Sequence, residues 1–138
     1  MNTCRNISNG SSISKQTARQ LSRITSEFYI QQAQSFSATR QMPWQGWQHC
    51  LDVMSCFTAV EKPCVLDVGC GNLRFARFLT DQAGVQPALY FAVDNCEALV
   101  QTGMTGAQIT FIEMDLVNSL LDTTLETQLK VPVCDLVV

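Results

Sequence analysis

The stretch "VLDVGCGNLRFARFL" (residues 65–79) joins an apolar run, an aspartate, a glycine pair and a segment of helical apolar spacing. Its first residues are typical of a parallel strand that is covered on both faces. Gly69 and Gly71 follow that run, and apolar residues at positions 75, 78 and 79 then repeat at helical spacing. The stretch therefore predicts a strand, a tight glycine turn and a helix.

Three further apolar segments have the length of strands. They are "ALYFAVD" (88–94), "QITFIEMD" (108–115) and "VCDLVV" (133–138). A short helix is predicted from residue 96 onward, and the ambiguous segment 116–130 is expected to hold one short helix. Because strands alternate with helices, right-handed crossovers are expected. The sequence thus predicts an α/β fold with a Rossmann-like, doubly wound parallel sheet.

Two helices are predicted ahead of the sheet. Residues 1–13 form a polar tail that we expect to be flexible. The first helix is predicted at 14–35, and Pro43, which restricts the residue before it, separates it from a second helix. The apolar face of the first helix comprises Ala18, Leu21, Ile24, Phe28 and Ala33. The buried stripe of the second comprises Trp44, Trp47, Leu51, Met54 and either Cys50 or Phe57. We expect residues 14–59 to pack on the sheet.

Composition and charge limit the function classes. The 138 residues carry a net charge of −3, so the sequence lacks the strong excess of positive charge that is typical of nucleic-acid-binding proteins. The seven cysteines form no C-x-x-C pair and no zinc spacing with His49, so no metal site is expected. Since there is neither a signal-peptide pattern nor an apolar run of about 18 residues, we expect a cytoplasmic protein without membrane contact.

The glycine turn does not fit a dinucleotide. A dinucleotide fingerprint needs a third glycine, and Arg74 stands at that position. Asp67 would also repel a pyrophosphate, so a nicotinamide dehydrogenase is disfavoured. A cationic ligand reverses the sign of that interaction. The sulfonium and ammonium groups of S-adenosylmethionine would tolerate or attract this carboxylate.

Acidic residues are predicted at the carboxyl ends of three successive strands. Asp67 belongs to the first, Asp94 ends the second, 23 residues after Gly71, and Asp115 ends the third. At such an edge Asp94 can accept both hydroxyls of a ribose, and Asp115 can accept the adenine amino proton. Two alternatives remain open: Asp94 could cap the following helix, and Asp115 could cap its loop.

These motifs resemble the class I S-adenosylmethionine-dependent methyltransferases. "VLDVGCG" is similar to their first motif, "YFAVDN" to their ribose-binding acid, "IEMDL" to their adenine-side acid and "CDLVV" to their fourth strand; the resemblance covers residues 60–138. It implies S-adenosyl-L-methionine as the cofactor. The binding residues that it implies are Asp67, Gly69, Cys70, Gly71, Asp94, Asn95, Met114 and Asp115. The sequence departs from the family at Leu73, where another glycine is frequent.

The upstream stretch "FSATRQMPWQGW" (36–47) resembles a segment of the tRNA wobble-uridine carboxymethyl methyltransferases and their bacterial relatives. This resemblance implies methyl transfer to a modified tRNA uridine, with Arg40 near the cofactor or the acceptor. The acidic composition counts against tRNA binding by this segment alone, so basic surface would come from further residues or a partner subunit. A small metabolite or a protein side chain is the alternative acceptor.

The family's sheet has seven strands, in the order 3-2-1-4-5-7-6, whereas only four are predicted here. We therefore expect residues 60–138 to be the cofactor-binding half of a longer methyltransferase domain. The catalytic residues would then lie beyond Val138, and none is assigned. The remaining alternative is a truncated, non-catalytic remnant that binds the cofactor or a partner.

Overall fold

The computed structural model describes residues 13–54, 59–101, 109–122 and 132–138. The helices are α1 (Lys15–Ala38), α2 (Gln45–Val53), α3 (Arg74–Asp81), α4 (Glu97–Gln101) and α5 (Leu116–Asp122). The strands are β1 (Cys64–Val68), β2 (Leu89–Asp94), β3 (Ile109–Glu113) and β4 (Leu136–Val137). Of the predicted tail (1–13), only Ile13 is among the described residues. Most of the segment that follows α5 also lies outside them.

The strands form one parallel sheet of four strands in the order β3-β2-β1-β4. Val68 pairs with Val93 and Asp94 with Glu113, so the carboxyl ends of β1, β2 and β3 are nearly level. This arrangement confirms the predicted α/β, Rossmann-like fold and its 3-2-1-4 order. It also brings the segments after β1, β2 and β3 to one edge of the sheet.

The main core lies around β1, β2 and α3. Val65 and Ala92 are fully buried in the sheet, and Leu79 of α3 is fully buried against them. Trp47 of α2 adds edge-on contact with Phe75, their ring centroids being 5.1 Å apart. A second, smaller cluster lies between α1 and α4 and comprises Ala33, Cys96 and Leu99. The helical spacing predicted after the glycine turn is thus confirmed.

The predicted buried face of α1 is confirmed at Ala33, which is buried, and is wrong at its three large apolar residues. Leu21, Ile24 and Phe28 are each more than half exposed. The helix instead turns small residues inward, and Ser22 and Ser37 are only 8% and 4% exposed. It does so because the loops at the carboxyl edge offer polar partners, and serine hydroxyls can bond to them while apolar side chains cannot.

The predicted stripe of α2 is partly wrong. Leu51 is buried, and Trp47 and Met54 pack against the main core, as predicted. Trp44 is 60% exposed, and Cys50 is exposed too. Trp44 precedes the first helical residue, Gln45, so its side chain does not follow the helical spacing. Phe57 lies outside the described residues.

None of the helices in the described ranges is both long and apolar enough to cross a membrane.

A candidate ligand site at the carboxyl edge of the sheet

A cleft with two lobes opens at the carboxyl edge. Lobe A has a volume of about 460 Å³ and includes Asp67 and Gly71 in its lining, whereas lobe B has about 400 Å³ and includes Met114 and Asp115. Gly69, Asp94 and Asn95 line both lobes. The two lobes therefore adjoin along the strand ends, with Asp94 between them.

The glycine turn leaves open space in the cleft. Gly69 and Gly71 have φ angles of +81° and +51°, which disfavour any residue with a Cβ. Within the described part of the chain, no neighbouring atom lies within 4 Å of the place a Cβ would take at either position. The amides of Gly69 and Cys70 both donate to the carbonyl of Val93, at 2.8 and 3.0 Å. The turn is thus fixed to the end of β2, and its bare Cα atoms let a ligand approach closely.

Leu73 adopts the backbone conformation of a glycine. Its φ angle is +57°, and it is the residue at which α3 is capped. This is the position at which the methyltransferases that the sequence resembles frequently have glycine. The side chain is fully buried in the main core, which offsets a strain of about 1 kcal/mol. The chain therefore forms the tight turn with leucine at this position.

Asp67 is a buried carboxylate in lobe A. It is 5% exposed, and the Tyr90 hydroxyl donates a hydrogen bond of 2.6 Å to its Oδ2. Burial raises the pKa of Asp67 to about 6; the Tyr90 hydrogen bond opposes this rise, and the charge of Asp94 adds to it. At pH 7 the carboxyl group is thus largely ionised, so lobe A presents a negative charge.

Two neighbours of Asp67 stay protonated at neutral pH. Burial, and then the charge of Asp67, raises the pKa of the Tyr90 hydroxyl, so the phenol remains the donor. Burial also raises the pKa of the Cys70 thiol, with Asp67 and Asp94 adding to the effect. Cys70 therefore contributes its backbone to the turn and no thiolate chemistry.

Asp94 connects the two lobes through its hydrogen bonds. Its Oδ2 accepts from the Gly71 amide at 2.8 Å, and its Oδ1 accepts from the Cys96 amide at 2.9 Å. The second bond orders the turn before α4; because that helix begins at Glu97, Asp94 is not its N-cap and the capping alternative is not realised. A carboxylate has about four acceptor positions, so each oxygen retains capacity for a ligand donor at this half-buried position.

Asp115 caps α5 and also contacts α1. Its oxygens accept from the Asn118 amide at 3.0 Å, the Asn118 side chain at 2.7 Å and the Ser22 hydroxyl at 2.8 Å. The capping alternative left open by the sequence is therefore realised. Met114, whose amide donates to the Asp94 carbonyl at 2.9 Å, lies beside it in lobe B.

The serines of α1 hold two of the site loops. Besides the Ser22 bond to Asp115, the Ser26 hydroxyl accepts a hydrogen bond of 2.8 Å from the side chain of Asn95. Sequence reasoning missed Ser22 and Ser26 as site-supporting residues. Their spacing of four along a helix was the only available signal, since apolar periodicity does not report a polar contact.

Arg40 lies at the rim of lobe A. Its guanidinium carbon is 3.7 Å from the centroid of the Phe36 ring, and the side chain is exposed. Its carbonyl accepts from the buried side chain of Asn72 at 3.1 Å, which ties the segment after α1 to the glycine turn. Arg74 stands at the same lobe, 5.1 Å from the ring of Trp47. Sequence reasoning did not nominate Asn72 or Arg74 as site residues.

No protein-family model, curated protein or solved structure matches this chain. In the described ranges, no three His, Cys, Asp or Glu side chains are grouped so that they could hold a metal ion. The functional proposal therefore rests on the motifs of the sequence and on the geometry of the cleft.

Proposed function

We propose that this chain binds S-adenosyl-L-methionine and belongs to a class I methyltransferase. The observation that carries the proposal is the position of Asp94, where the two lobes meet, with Asp67 in one lobe and Asp115 in the other. An elongated ligand with a cationic end, a central ribose and a flat base matches that order of groups.

The donor set fits the cofactor in both lobes. In lobe A, Asp67 and Asp94 would attract the ammonium and sulfonium groups. At the junction, Asp94 would accept the ribose hydroxyls. In lobe B, Leu21, Met114 and Leu116 provide apolar surface for adenine. Asp115 would accept its amino proton, although three hydrogen bonds already engage that side chain.

The cofactor supplies an electrophilic methyl group when it is bound. The part played by this chain is to bind the cofactor, fix its orientation through the glycine turn and limit water at the reacting end. Phe36, Trp47 and Phe75 line lobe A and give it a largely apolar wall. No catalytic base is assigned among the described residues.

The proposed acceptor is a modified wobble uridine of tRNA. The "FSATRQMPW" stretch (36–44) supports it, and its Arg40 lies at the rim of lobe A, where a guanidinium can bind a carboxylate in two-point fashion. A small metabolite or a protein side chain is the alternative acceptor, which the net charge of −3 favours. A cofactor-binding remnant without transfer is the non-enzymatic alternative.

Transfer of a radiolabelled methyl group to bulk tRNA tests the proposal. We expect the methyltransferase that contains this chain to incorporate label into tRNA, and we expect incorporation to fall at least about tenfold in Arg40→Gln, since loss of a two-point charged contact costs about 1.4 kcal/mol or more. Arg23→Gln is the matched control, because Arg23 is exposed on α1 and pairs with Glu27. Label in small molecules or protein instead would overturn the tRNA acceptor, and cofactor binding without any transfer would support the remnant.

A further inference from the structure

Two thiols lie close together at the edge of the sheet opposite the cleft. Cys64 is the first residue of β1, and Cys134 precedes β4 by two positions. The Cys64 thiol donates to the sulfur of Cys134, and the two Sγ atoms are 3.5 Å apart. Both side chains are partly exposed. A small reagent in solution can therefore reach this pair.

The backbone holds the two cysteines in place. Val65 pairs with Leu136, so Cys64 lies beside Asp135 in the sheet. The Asp135 amide donates to the Cys64 carbonyl at 2.8 Å, and the Cys64 amide donates to the Asp135 carboxylate at 2.7 Å. A disulfide has sulfurs about 2.05 Å apart. The two sulfurs must therefore come about 1.5 Å closer, a displacement within the reach of side-chain rotation.

We propose that Cys64 and Cys134 form a redox-sensitive pair, which a low-molecular-weight disulfide oxidises to an intramolecular disulfide between β1 and the segment before β4. The proposal concerns the opposite edge of the sheet from the cleft. It does not depend on the proposed function.

The exchange proceeds in two balanced steps. Cys134, which accepts a hydrogen bond from Cys64, is assigned as the first nucleophile: as its thiolate it attacks the reagent disulfide and releases one reagent thiolate. The Cys64 thiol then loses its proton and attacks Sγ of Cys134, releasing the second thiolate. Two protein thiols are oxidised, and one reagent disulfide is reduced to two thiols. Burial raises the pKa of Cys64 to about 11, so Cys64 is the less reactive thiol in the first step.

The disulfide would fasten a short strand to the sheet. β4 has only two residues, and hydrogen bonds of 2.8 and 2.9 Å join Val138 to Val68 and Leu66 of β1. A covalent bond between Cys64 and Cys134 would close a loop of about 70 residues, which constrains the unfolded chain strongly. Oxidation is therefore expected to raise the melting temperature by about 10 °C.

Incubation of the chain with oxidised glutathione at pH 8 tests the pair. After alkylation of the remaining thiols and digestion with trypsin, the peptide 131–138 carries Cys134 as its one cysteine. We expect this peptide to be linked to the peptide 41–74, which also contains Cys50, Cys56 and Cys70, and fragmentation of the linked pair should place the bond on Cys64. Dithiothreitol should reverse both the link and the rise in melting temperature. Cys64→Ser and Cys134→Ser should lose both effects.

Cys50→Ser is the matched control, because Cys50 is exposed on α2 and should leave the link unchanged. Differential alkylation of the unsubstituted chain needs no variant and gives an independent reading. Separate glutathione adducts on the two cysteines, full alkylation of both, or a link from Cys134 to another cysteine would each overturn the proposal.

Discussion

Oδ2 of Asp94 accepts a hydrogen bond of 2.8 Å from the Gly71 amide, so the end of β2 is joined directly to the glycine turn after β1. The second oxygen accepts from the Cys96 amide at 2.9 Å. Two backbone donors therefore orient this carboxylate before any ligand arrives. Such preorganisation suits a residue that binds a ribose, since little conformational entropy remains to be lost.

Replacement of Asp94 tests this assignment. Asp94→Asn removes the charge and one accepting oxygen, and we expect the affinity for S-adenosylhomocysteine to fall about 10- to 100-fold. The ligand-induced shift in melting temperature measures the loss. Asp81→Asn, at the exposed end of α3, is the control and should bind as the unsubstituted chain does. Equal shifts in both variants would remove Asp94 from the site.

Asp67 gives the protein a pH-dependent stability. Its pKa is raised from 3.8 to about 6 on folding, so the folded state holds the proton longer than the unfolded state. The stability therefore falls as the pH rises from about 4 to 6, and at pH 7 the ionised group costs about 3 kcal/mol. Tyr90, Cys70 and Asp94 are the groups that face it.

The variant Asp67→Asn isolates that contribution. Its free energy of unfolding in urea should match that of the unsubstituted chain near pH 4 and exceed it by about 1–3 kcal/mol at pH 7, since the amide oxygen can still accept from Tyr90. Asp52→Asn, on the exposed side of α2, should show no such divergence. A constant difference between pH 4 and 7 would contradict the raised pKa.

The left-handed conformation of Leu73 predicts an inverted preference between alanine and glycine. Leu73→Ala and Leu73→Gly should both destabilise the fold, because a fully buried side chain is lost. At a φ angle of +57°, however, the glycine variant should be about 1 kcal/mol more stable than the alanine variant. At Leu79, within α3, the order should be reversed, with the alanine variant about 1 kcal/mol more stable than the glycine variant. Urea unfolding of the four variants measures both differences. The same order of alanine and glycine at both positions would contradict the left-handed conformation of Leu73.

The serines of α1 should stabilise the loops of the cleft. Ser22→Ala removes the 2.8 Å bond to Asp115, and Ser26→Ala removes the 2.8 Å bond to Asn95. We expect each to lower the free energy of unfolding by about 1–2 kcal/mol, and the pair to weaken binding of S-adenosylhomocysteine several-fold. Ser35→Ala, exposed on the same helix, is the control. Unchanged binding in the double variant would show that α1 does not support the site.

The sheet could be predicted from the sequence because its signals are local. The apolar run before Gly69 and the helical spacing after it specify β1, the turn and α3, and the alternation of strands and helices indicates a parallel sheet. The order of the strands was implied only by the methyltransferase resemblance. The strand after Pro132 was predicted longer than it is: β4 covers only Leu136–Val137. Strand ends depend on pairing with a neighbour, which the sequence alone does not show.

The contact face of α1 could not be predicted from apolar spacing. Leu21 and Phe28 suggested the buried side, yet hydrogen bonds over 93 and 69 residues attach the Ser22–Ser26 side to Asp115 and Asn95. Such pairs form only once the sheet has brought distant segments together. Likewise, the positive φ angle of Leu73 results from the turn around it and not from the preference of leucine.

Isothermal titration of the unsubstituted chain with S-adenosylhomocysteine, and separately with NAD⁺, tests the central claim most directly. The sample is first shown to be folded by a cooperative thermal melt. We predict binding of one S-adenosylhomocysteine per chain, with an affinity at least about tenfold higher than that for NAD⁺, because Arg74 stands where a dinucleotide needs glycine and Asp67 would repel a pyrophosphate. A folded chain that gives no heat with S-adenosylhomocysteine, or that prefers NAD⁺, would contradict the assignment of the cleft.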